Sequence, residues 1–438
     1  MAVELMTEGL TTEALTREEQ GPPSGPFEVI VVGGGMVGIT MACLLGRAGL
    51  SVVLLDAREA PLDRDAVGRG RPSMRVSALT PVSRQLLEGL GAWQGITARR
   101  VSPYRYMQVW DGEGSGEVNF SADQAGVPVL GHIVENDVTL AALEASLAEL
   151  PTVKVQFGAR VAGLETDGEK RAVVLEDGNW LQAPLVVAAD GARSPLREMA
   201  GIAVSARDTG QVAVVTTVCT RLGHGGVARQ VFLPTGPLAF LPLHVEGNDR
   251  HCSIVWSTTP AEAERLTAVL EEDLGRELGA AIEHRLGEVT VVDQALALPL
   301  TQRHAERYAG PGFALVGDAA HSIHPLAGQG VNLGLMDAAV LAEEVVEGRR
   351  RGLSPGDEHV LVRYARRRRG DNAAMLALMD GFRLLFGARH PALMLARNLG
   401  LSGVDRLGPL KRLLMQQATG HRGRLPASCR PLSRRDAG

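Results

Sequence analysis

The chain has 438 residues, and this length indicates two or three domains, because single hydrophobic cores rarely grow past roughly 300 residues. Apolar residues make up 45% of the chain and the net charge is −5, a composition typical of a soluble globular protein. The 52 glycines are scattered rather than periodic, which excludes collagen-like and low-complexity chains. No apolar run reaches the length of a membrane span.

The two ends of the chain differ in charge from its body. Residues 1–26 carry five Glu and one Arg, which fits neither a signal peptide nor a transit peptide, and they are predicted to form a disordered tail. From Arg349 onward there are 19 Lys and Arg against 6 Asp and Glu, a balance of +13. The four cysteines have no ligand spacing, which favours a reducing, cytoplasmic compartment.

The first motif opens the predicted ordered chain at FEVIVVGGGMVG. EVIVV is typical of a buried parallel strand, and a helical pattern follows the glycines. Gly33 permits a tight turn, Gly35 lets the backbone approach a pyrophosphate, and Gly38 lets the helix pack on the strand. A second strand, LSVVLLD, ends at Asp56, where a carboxylate can accept hydrogen bonds from ribose hydroxyls. The pattern predicts a dinucleotide site without separating NAD from FAD.

The second motif, LVVAADGARSPLREMAG, repeats this strand-turn-helix order in a shorter form. Asp190 and Gly191 end the predicted strand. Ser194 and Pro195 are typical of an N-cap followed by proline at the first helical position. A plain strand-to-helix turn without a ligand remains the alternative.

The third motif is GDAAHSIHPLAGQGVN, which follows the predicted strand FALV. A metal site formed by Asp318, His321 and His324 lacks a defined fourth ligand, and no Ser or Cys is placed as a nucleophile. A carboxylate that accepts from a polyol, followed by backbone N–H groups at a helix start, suits a flavin whose ring becomes anionic. The two histidines are expected to hydrogen-bond their own loop rather than to transfer protons.

Residues 211–259 contain β-branched and aromatic runs divided by turns, which predicts an antiparallel sheet that walls a substrate cavity. Because alternate side chains face opposite sides, only about half of the apolar candidates are expected to face that cavity. These candidates are Val231, Phe232, Leu238, Phe240 and Trp256.

The basic C-terminal region alternates RYARRRR with apolar helical runs such as AAMLALMDGFRLLF, PALMLARNLGL and LKRLLMQQATG. It is interpreted either as helices packed on the body with a solvated basic face, or as a contact with an anionic membrane surface or a partner. Nucleic acid is not expected, because no nucleic-acid-binding fold surrounds the basic residues.

The three motifs, in this order, resemble the fingerprints of the class A flavoprotein aromatic hydroxylases. MRVSALTPVSRQLLEGLGAW, GHIVEND, ARQVF, LAFLPL, CSIVWS and HPLAGQGVNLG resemble segments of the ubiquinone-biosynthesis hydroxylases, most closely the polyprenylphenol hydroxylase. The resemblance runs from about residue 27 to about residue 420. It implies an α/β fold with a parallel, Rossmann-like FAD-binding sheet, an antiparallel substrate sheet and C-terminal helices.

The resemblance also implies a role for single residues. Gly33, Gly35, Gly38 and Asp56 would bind the adenosine half of FAD. Arg75 would meet the pyrophosphate or the flavin, with an ordinary surface arginine as the alternative. Asp190 would lie near both the flavin and a nicotinamide cofactor.

Gly317 and Asp318 would hold the ribityl chain. The flavin ring would be lined by Pro325, Gly328, Gly330, Val331 and Asn332. Glu135 would touch the cofactor, unless it or its neighbours Asn136 and Asp137 cap the following helix.

The implied domains are FAD-binding (27–105, 130–200 and 290–348), substrate (106–129 and 201–289) and C-terminal helical (349–420), before a flexible tail at 421–438. The implied reaction hydroxylates a polyprenylphenol with O2 through a flavin C4a-hydroperoxide, in ubiquinone biosynthesis. NAD(P)H or a reductase system would supply electrons, and a biosynthetic complex and a peripheral position at the inner membrane face are possible settings. The sequence identifies no catalytic residue, and no metal is expected. Hydroxylation of another aromatic compound, a flavin-dependent reductase and a non-catalytic FAD-binding subunit remain alternatives.

Overall fold

The structure, a computed structural model, describes residues 27–167, 170–322, 330–387, 415–416, 419–421 and 423–430. The described strands are β1 (Val29–Val32), β2 (Val52–Leu55), β3 (Val76–Leu79), β4 (Ser102–Tyr104), β5 (Tyr106–Asp111), β6 (Glu117–Ser121), β7 (Gly131–Glu135), β8 (Val153–Gln156), β9 (Val161–Asp167), β10 (Lys170–Leu175), β11 (Trp180–Ala183), β12 (Leu185–Ala188), β13 (Val204–Thr220), β14 (Val227–Leu233), β15 (Gly236–Val245), β16 (Asn248–Thr258), β17 (Val289–Val291), β18 (Leu296–Ala305), β19 (Ala309–Gly310), β20 (Phe313–Leu315) and β21 (His321–Ser322).

The described helices are α1 (Met36–Arg47), α2 (Pro81–Gly89), α3 (Ala92–Thr97), α4 (Ala122–Ala125), α5 (Asn136–Ala148), α6 (Pro195–Met199), α7 (Pro260–Ala268), α8 (Glu271–Ala281), α9 (Gly330–Arg350) and α10 (Glu358–Gly387). Short 3-10 helices lie at Gly317–Ala319 and Ala427–Cys429. Three helices begin in the same way, with a Ser or Thr N-cap before a proline: Thr80 before α2, Ser194 before α6 and Thr259 before α7.

A six-stranded sheet has the strand order β19-β20-β12-β1-β2-β8 and combines strands from distant parts of the chain. The pairs β1–β2, β1–β12, β2–β8 and β12–β20 are all parallel, and only β19 runs antiparallel. The strands VIVV, VVLL and LVVA are buried along their whole length, as parallel strands covered on both faces should be. Ligands bind such sheets outside the carboxyl ends of the strands, so that edge is where a site is expected.

The second large sheet contains the long antiparallel strands β13, β16, β15 and β14. One of its faces packs on α7 and α8, with a core that includes Leu266 and Leu278. Its opposite face packs β15 against a small sheet of β3, β7 and β4, where Leu241 meets Ile133. The predicted fold class, a parallel sheet joined to an antiparallel sheet and C-terminal helices, is therefore confirmed.

The helices that follow the sheets are α9 and α10, which pack on each other and on the parallel sheet. The predicted helical runs between residues 388 and 414 lie outside the described residues. Among the helices that the structure describes, none combines the length and the apolar character needed to cross a bilayer.

Candidate functional site

The first glycine turn lies at the carboxyl end of β1. Gly33 has a φ of +107°, and a Cβ there would lie 2.3 Å from the carbonyl oxygen of Ala189. A Cβ on Gly38 would lie 1.9 Å from the carbonyl oxygen of Gly33, because α1 packs against the turn. These two glycines are therefore required by contacts within the protein.

Gly35 is different, because a Cβ at this position would meet nothing within 4 Å. It is the N-cap of α1, with a φ of −77° that any residue can adopt, so neither strain nor packing explains a glycine. The space in front of it is open, and the first N–H groups of the 12-residue helix α1 face outward there. This combination fits close approach of a phosphate to the backbone.

Asp56 follows β2 at the same sheet edge and is 7% exposed. Its carboxylate accepts hydrogen bonds from Arg58 at 2.8 Å from Nε and 3.0 Å from the backbone nitrogen. Arg58 also donates to the carbonyl of Gly34 at 2.9 Å and to Glu144 of α5 at 2.9 Å. Arg58, which sequence reasoning missed, therefore orients Asp56, and part of that carboxylate's accepting capacity is already used.

Asp190 lies at the end of β12, beside the first turn. One of its carboxylate oxygens accepts from the backbone nitrogen of Leu196 at 3.1 Å, and the other has no partner among the described residues. Burial raises the pKa of Asp190, although Ser194 and the Leu196 amide act to lower it. Ser194 caps α6 as predicted, since its hydroxyl accepts from the backbone nitrogen of Arg197 at 3.0 Å.

The third motif forms a 3-10 turn after β20, and Gly317 there has a φ of +61°. Arg197 of the second motif is 3% exposed and donates through one nitrogen to the carbonyls of Ala319, at 2.9 Å, and Ala192, at 3.2 Å. This arginine therefore ties the second turn to the third.

The third turn also meets the first. A Cβ on Gly317 would lie 3.2 Å from the side chain of Val37 at the start of α1. A Cβ on Gly334 of α9 would lie 3.1 Å from the Cα of Gly317 and 2.7 Å from Val37. Together with the contact of Gly33 on Ala189, these approaches bring all three turns into one cluster at one sheet edge.

Asp318 and Arg75 are both exposed, and both belong to this edge. The surrounding protein desolvates Asp318 and raises its pKa, while the positive charges of His321 and Arg75 act in the opposite direction. Asp318 is therefore accessible to solvent at this edge, although nearby protein partly desolvates its carboxylate. Arg75 lies close enough for its charge to act on that carboxylate.

The described side-chain contact of His321 is made outside its own loop, and residues 323–329 of that loop lie outside the described residues. The His321 Nε2 lies 2.6 Å from Asp337, a fully buried carboxylate on α9. Asp337 also accepts from the Gly317 backbone nitrogen at 3.0 Å and from Arg368 of α10 at 2.7 Å. Burial alone would raise the pKa of Asp337, but the charges and hydrogen bonds of His321 and Arg368 outweigh it and lower the pKa to about 2. His324 lies outside the described residues.

Asn332 is nearly buried in the first turn of α9, next to Gly330 and Val331. Its amide oxygen accepts from the Thr80 backbone nitrogen at 3.0 Å and from the Ser83 hydroxyl at 2.7 Å, and its amide nitrogen donates to Ala78 at 2.8 Å. The side chain thus fixes the start of α9 against β3 and α2. Pro325 and Gly328 lie outside the described residues.

Glu135 is the N-cap residue of α5, but its side chain makes no capping bond, and neither Asn136 nor Asp137 is the cap. The alternative of side-chain capping is therefore wrong. The buried carboxylate instead pairs with Arg100 at 3.0 Å and accepts from the Ser73 backbone nitrogen at 2.5 Å. One of these two partners, Ser73, precedes Arg75 by two positions.

The substrate-pocket candidates face two different sides of the antiparallel sheet. Val231, Leu238, Phe240 and Trp256 pack in the core against α7 and α8, where helices cover the sheet. The choice of Val231, Phe240 and Trp256 as cavity-lining residues is therefore corrected, because strand parity turns them toward the helices. Phe232 has the opposite parity and packs with Val109 and Val118.

The basic run RYARRRR does not form one solvated basic face. On α10, Arg363 donates through Nε to the Glu344 carboxylate of α9 at 2.6 Å, and Arg367 donates to the same carboxylate at 2.7 Å. Arg368 is buried and donates to Asp337. Arg366 and Arg369 remain exposed. Much of the positive charge in this run therefore holds α10 on α9.

Comparison with known proteins agrees with this geometry. The sequence model of the FAD binding domain family matches residues 26–377. The chain is 40% identical to the 3-demethoxyubiquinol 3-hydroxylase of Escherichia coli, over 90% of this chain and 99% of that protein. It is 39% identical to the ubiquinone hydroxylase UbiL of Rhodospirillum rubrum, over 91% of this chain and 92% of that protein.

Among solved structures, the p-nitrophenol 4-monooxygenase PnpA of Pseudomonas putida superposes with a TM-score of 0.72 at 22% identity, covering 91% of this chain and 99% of that one. At that identity the likeness shows the fold alone. The family match confirms FAD as the cofactor predicted from the three turns. The chain belongs to the family of FAD-dependent aromatic-ring monooxygenases that contains the ubiquinone-biosynthesis hydroxylases.

Proposed function

We propose that this protein adds one hydroxyl group to the aromatic ring of a polyprenylphenol in ubiquinone biosynthesis, with FAD held at the edge of the parallel sheet. The observation that carries the proposal is the cluster of three turns, in which Gly33 meets Ala189, Gly317 meets Val37, and Arg197 binds Ala319. Two relatives of about 40% identity are named for hydroxylation in this pathway, which supports the substrate class.

The residues at this edge fit the parts of FAD in order. Gly35 and the start of α1 would receive the pyrophosphate, because a backbone N–H group can approach an anion where no Cβ intrudes. Asp56, oriented by Arg58, would accept from the adenosine ribose. Asp318 would accept from the ribityl hydroxyls, with Arg75 beside it as a cation near the phosphates or the flavin.

The remaining predicted contacts are proposed at the same sheet edge. Asp190 has an unpartnered buried oxygen that could accept from the flavin or a nicotinamide, and Glu135 would act through the backbone rather than by direct contact. Gly330, Val331 and Asn332 would present the start of α9 to the ring, with Pro325 and Gly328 before them.

FAD, when bound, supplies the redox chemistry that activates O2 for insertion into the ring. In the overall balance, O2, two electrons and two protons convert one aromatic C–H bond to C–OH and release one water. NAD(P)H or a reductase system is the proposed electron source. The contribution of the chain would be to bind and orient the ring and to exclude water, and the packed interface between β15 and the β3-β7-β4 sheet is proposed for the exclusion of water.

The identity of the substrate can be tested with the purified protein and with a deletion strain. With FAD, NAD(P)H or a reductase and a polyprenylphenol under 18O2, one labelled oxygen should appear in the product. A reductase would give an unlabelled product, and a non-catalytic subunit would give none. The 40% identity to a demethoxyubiquinol hydroxylase favours that compound as a second candidate substrate. Mass spectrometry of the precursor that accumulates in the deletion strain separates the two, because the demethoxy precursor already carries further ring substituents.

We also propose a peripheral contact with the anionic inner membrane surface through the basic C-terminal region. The five basic residues between 388 and 414 can each contribute about 1 kcal/mol near such a surface. Changing Arg389, Arg397, Arg406, Lys411 and Arg412 to Gln should reduce sedimentation with anionic vesicles. Sedimentation equal to that of the parent protein would rule the contact out.

A further inference from the structure

The connection between β2 and β3, residues 57–75, contains no helix or strand, yet buried side chains hold it. At its beginning, Glu144 of α5 accepts from the backbone nitrogen of Leu62 at 3.0 Å. At its end, Glu135 accepts from the backbone nitrogen of Ser73 at 2.5 Å. Two carboxylates at the start and in the body of α5 thus bind backbone groups of one irregular segment.

The ion pair of Arg100 and Glu135 is the buried part of this arrangement. The two side chains are 7% and 4% exposed and lie 3.0 Å apart. A second guanidinium nitrogen of Arg100 donates to the carbonyls of Gly68, at 3.0 Å, and Gly70, at 2.9 Å. Both glycines adopt left-handed backbone conformations, with φ of +78° and +64°. The hydrogen-bonding atoms of Arg100 and Glu135 that do not bind each other therefore bind backbone groups of residues 68–73.

Such a pair is poor evidence for stability, because desolvation of two charges offsets most of their attraction. What it does provide here is order in a segment that has no secondary structure of its own. The segment ends at Arg75, whose carbonyl accepts from the backbone nitrogen of Asn136 at 2.9 Å. The Arg75 side chain, in contrast, is exposed and acts electrostatically on Asp318.

We propose that the buried pair of Arg100 and Glu135 positions Arg75 at the proposed FAD site. Glu135 is thus not a contact of the cofactor, and Arg100 acts on the cofactor only through the backbone of residues 68–75. The inference rests on the proposed placement of FAD beside Asp318 and Arg75.

The test is a thermodynamic cycle in which FAD affinity is measured by fluorescence quenching. One background is the parent protein, and the other is the double variant Arg100→Met with Glu135→Met, which removes both charges and should fold. Arg75→Gln is introduced into each. In the parent, Arg75→Gln should weaken FAD binding about tenfold, the effect of one lost charge-assisted contact. In the double variant the same change should have less than a threefold effect.

The size of this coupling separates positioning from general structural damage, because damage alone would leave the effect of Arg75→Gln unchanged. The inference would be overturned if Arg75→Gln weakened FAD binding by the same factor in both backgrounds. It would also be overturned if Arg75→Gln left the FAD affinity of the parent unchanged. The matched control removes an exposed pair of similar geometry, Arg105 and Asp123, which lie 2.8 Å apart. Its removal should alter neither FAD affinity nor the effect of Arg75→Gln.

A second measurement needs no cofactor. In the apoprotein, trypsin should cut faster after Arg64 and Arg69 when the Arg100–Glu135 pair is removed. If the double variant does not fold, Arg100→Lys serves instead, because lysine keeps the charge but has no second nitrogen with which to bind the glycine carbonyls as well as Glu135. Failure of the parent protein to bind FAD would refute the proposed function. The cleavage experiment would still test the pair, because an equal rate of trypsin cleavage in the parent and in the double variant would overturn its positioning role.

Discussion

Asp337 accepts hydrogen bonds from Arg368 at 2.7 Å and from His321 at 2.6 Å, and so joins helix α10 to the turn that carries Asp318. The same carboxylate accepts from the Gly317 backbone nitrogen. Asn372 of α10 also donates to it, and bonds in turn to the Tyr308 hydroxyl. The shape of the third turn therefore depends on a helix that follows it in sequence.

Changing Asp337 to Asn should lower the free energy of unfolding by about 3–5 kcal/mol, because the buried Arg368 loses its buried counter-charge and keeps only the half-exposed Asp371. Urea denaturation of the apoprotein measures this loss. Asp371→Asn is the matched control, since Asp371 also pairs with Arg368 but is half exposed, and its loss should cost less than about 1 kcal/mol. Similar losses in both variants would contradict the central role of Asp337.

Changing Gly35 to Ala should separate cofactor binding from folding. The fold has room for the new methyl group, so the urea midpoint should stay within error of the parent value. The methyl group would occupy the space that the pyrophosphate needs, so FAD affinity should fall at least about tenfold. Gly38→Ala is the contrasting variant: its methyl would meet the Gly33 carbonyl, and it should destabilise the apoprotein itself. A stable Gly35→Ala protein with full FAD affinity would place the pyrophosphate elsewhere.

Changing Asp318 to Ala should weaken FAD binding about tenfold to a hundredfold, which corresponds to the roughly 1.5–3 kcal/mol of a hydrogen bond to a charged group. Because Asp318 is exposed, the thermal stability of the apoprotein should change little. Titration of the apoprotein with FAD measures the affinity. A variant that purifies with the flavin absorbance of the parent would show that Asp318 does not hold the cofactor.

His132 should make the protein less stable as the pH falls from about 6.5 toward 4. Burial, followed by the nearby charge of Arg84, lowers the pKa of His132 to about 4, so the folded protein keeps the ring neutral. The unfolded chain takes up a proton near its usual pKa of about 6.5. The contribution of His132 to the free energy of unfolding is therefore fully present above pH 6.5, and up to about 3 kcal/mol of it is lost as the pH falls to 4.

His132→Phe tests the assignment of this pH dependence. The variant retains an aromatic ring against Trp93. In the parent, the rings of His132 and Trp93 pack edge to face, with their centroids 4.8 Å apart. The slope of the unfolding free energy between pH 6.5 and 4 should become shallower, whatever the absolute stability of the variant. An identical slope in both proteins would assign the pH dependence to other groups.

Local chemistry accounts for the parts of the site that could be predicted from the sequence. Gly33 and Gly38 are recognisable because steric limits act between neighbouring segments of one strand-turn-helix unit. Ser194 and Pro195 indicate a helix start for the same reason. Arg58 and Arg197 carried a weaker signal: each lies within the motif whose carboxylate or turn it fixes, but arginines at such positions are too common to be distinctive.

Residues that are adjacent along the chain were enough to predict the three turns and a flavin dinucleotide, and the fold class was predicted from the resemblance to the class A flavoprotein hydroxylases. The contacts between distant groups could be read only from the folded chain: Arg100 with Glu135, Asp337 with Arg368, and Trp256 with the core under α7 and α8. Strand parity identifies two faces without saying which one is covered, and a buried charge finds its partner through packing of remote segments. Those relationships depend on three-dimensional proximity, which no local pattern encodes.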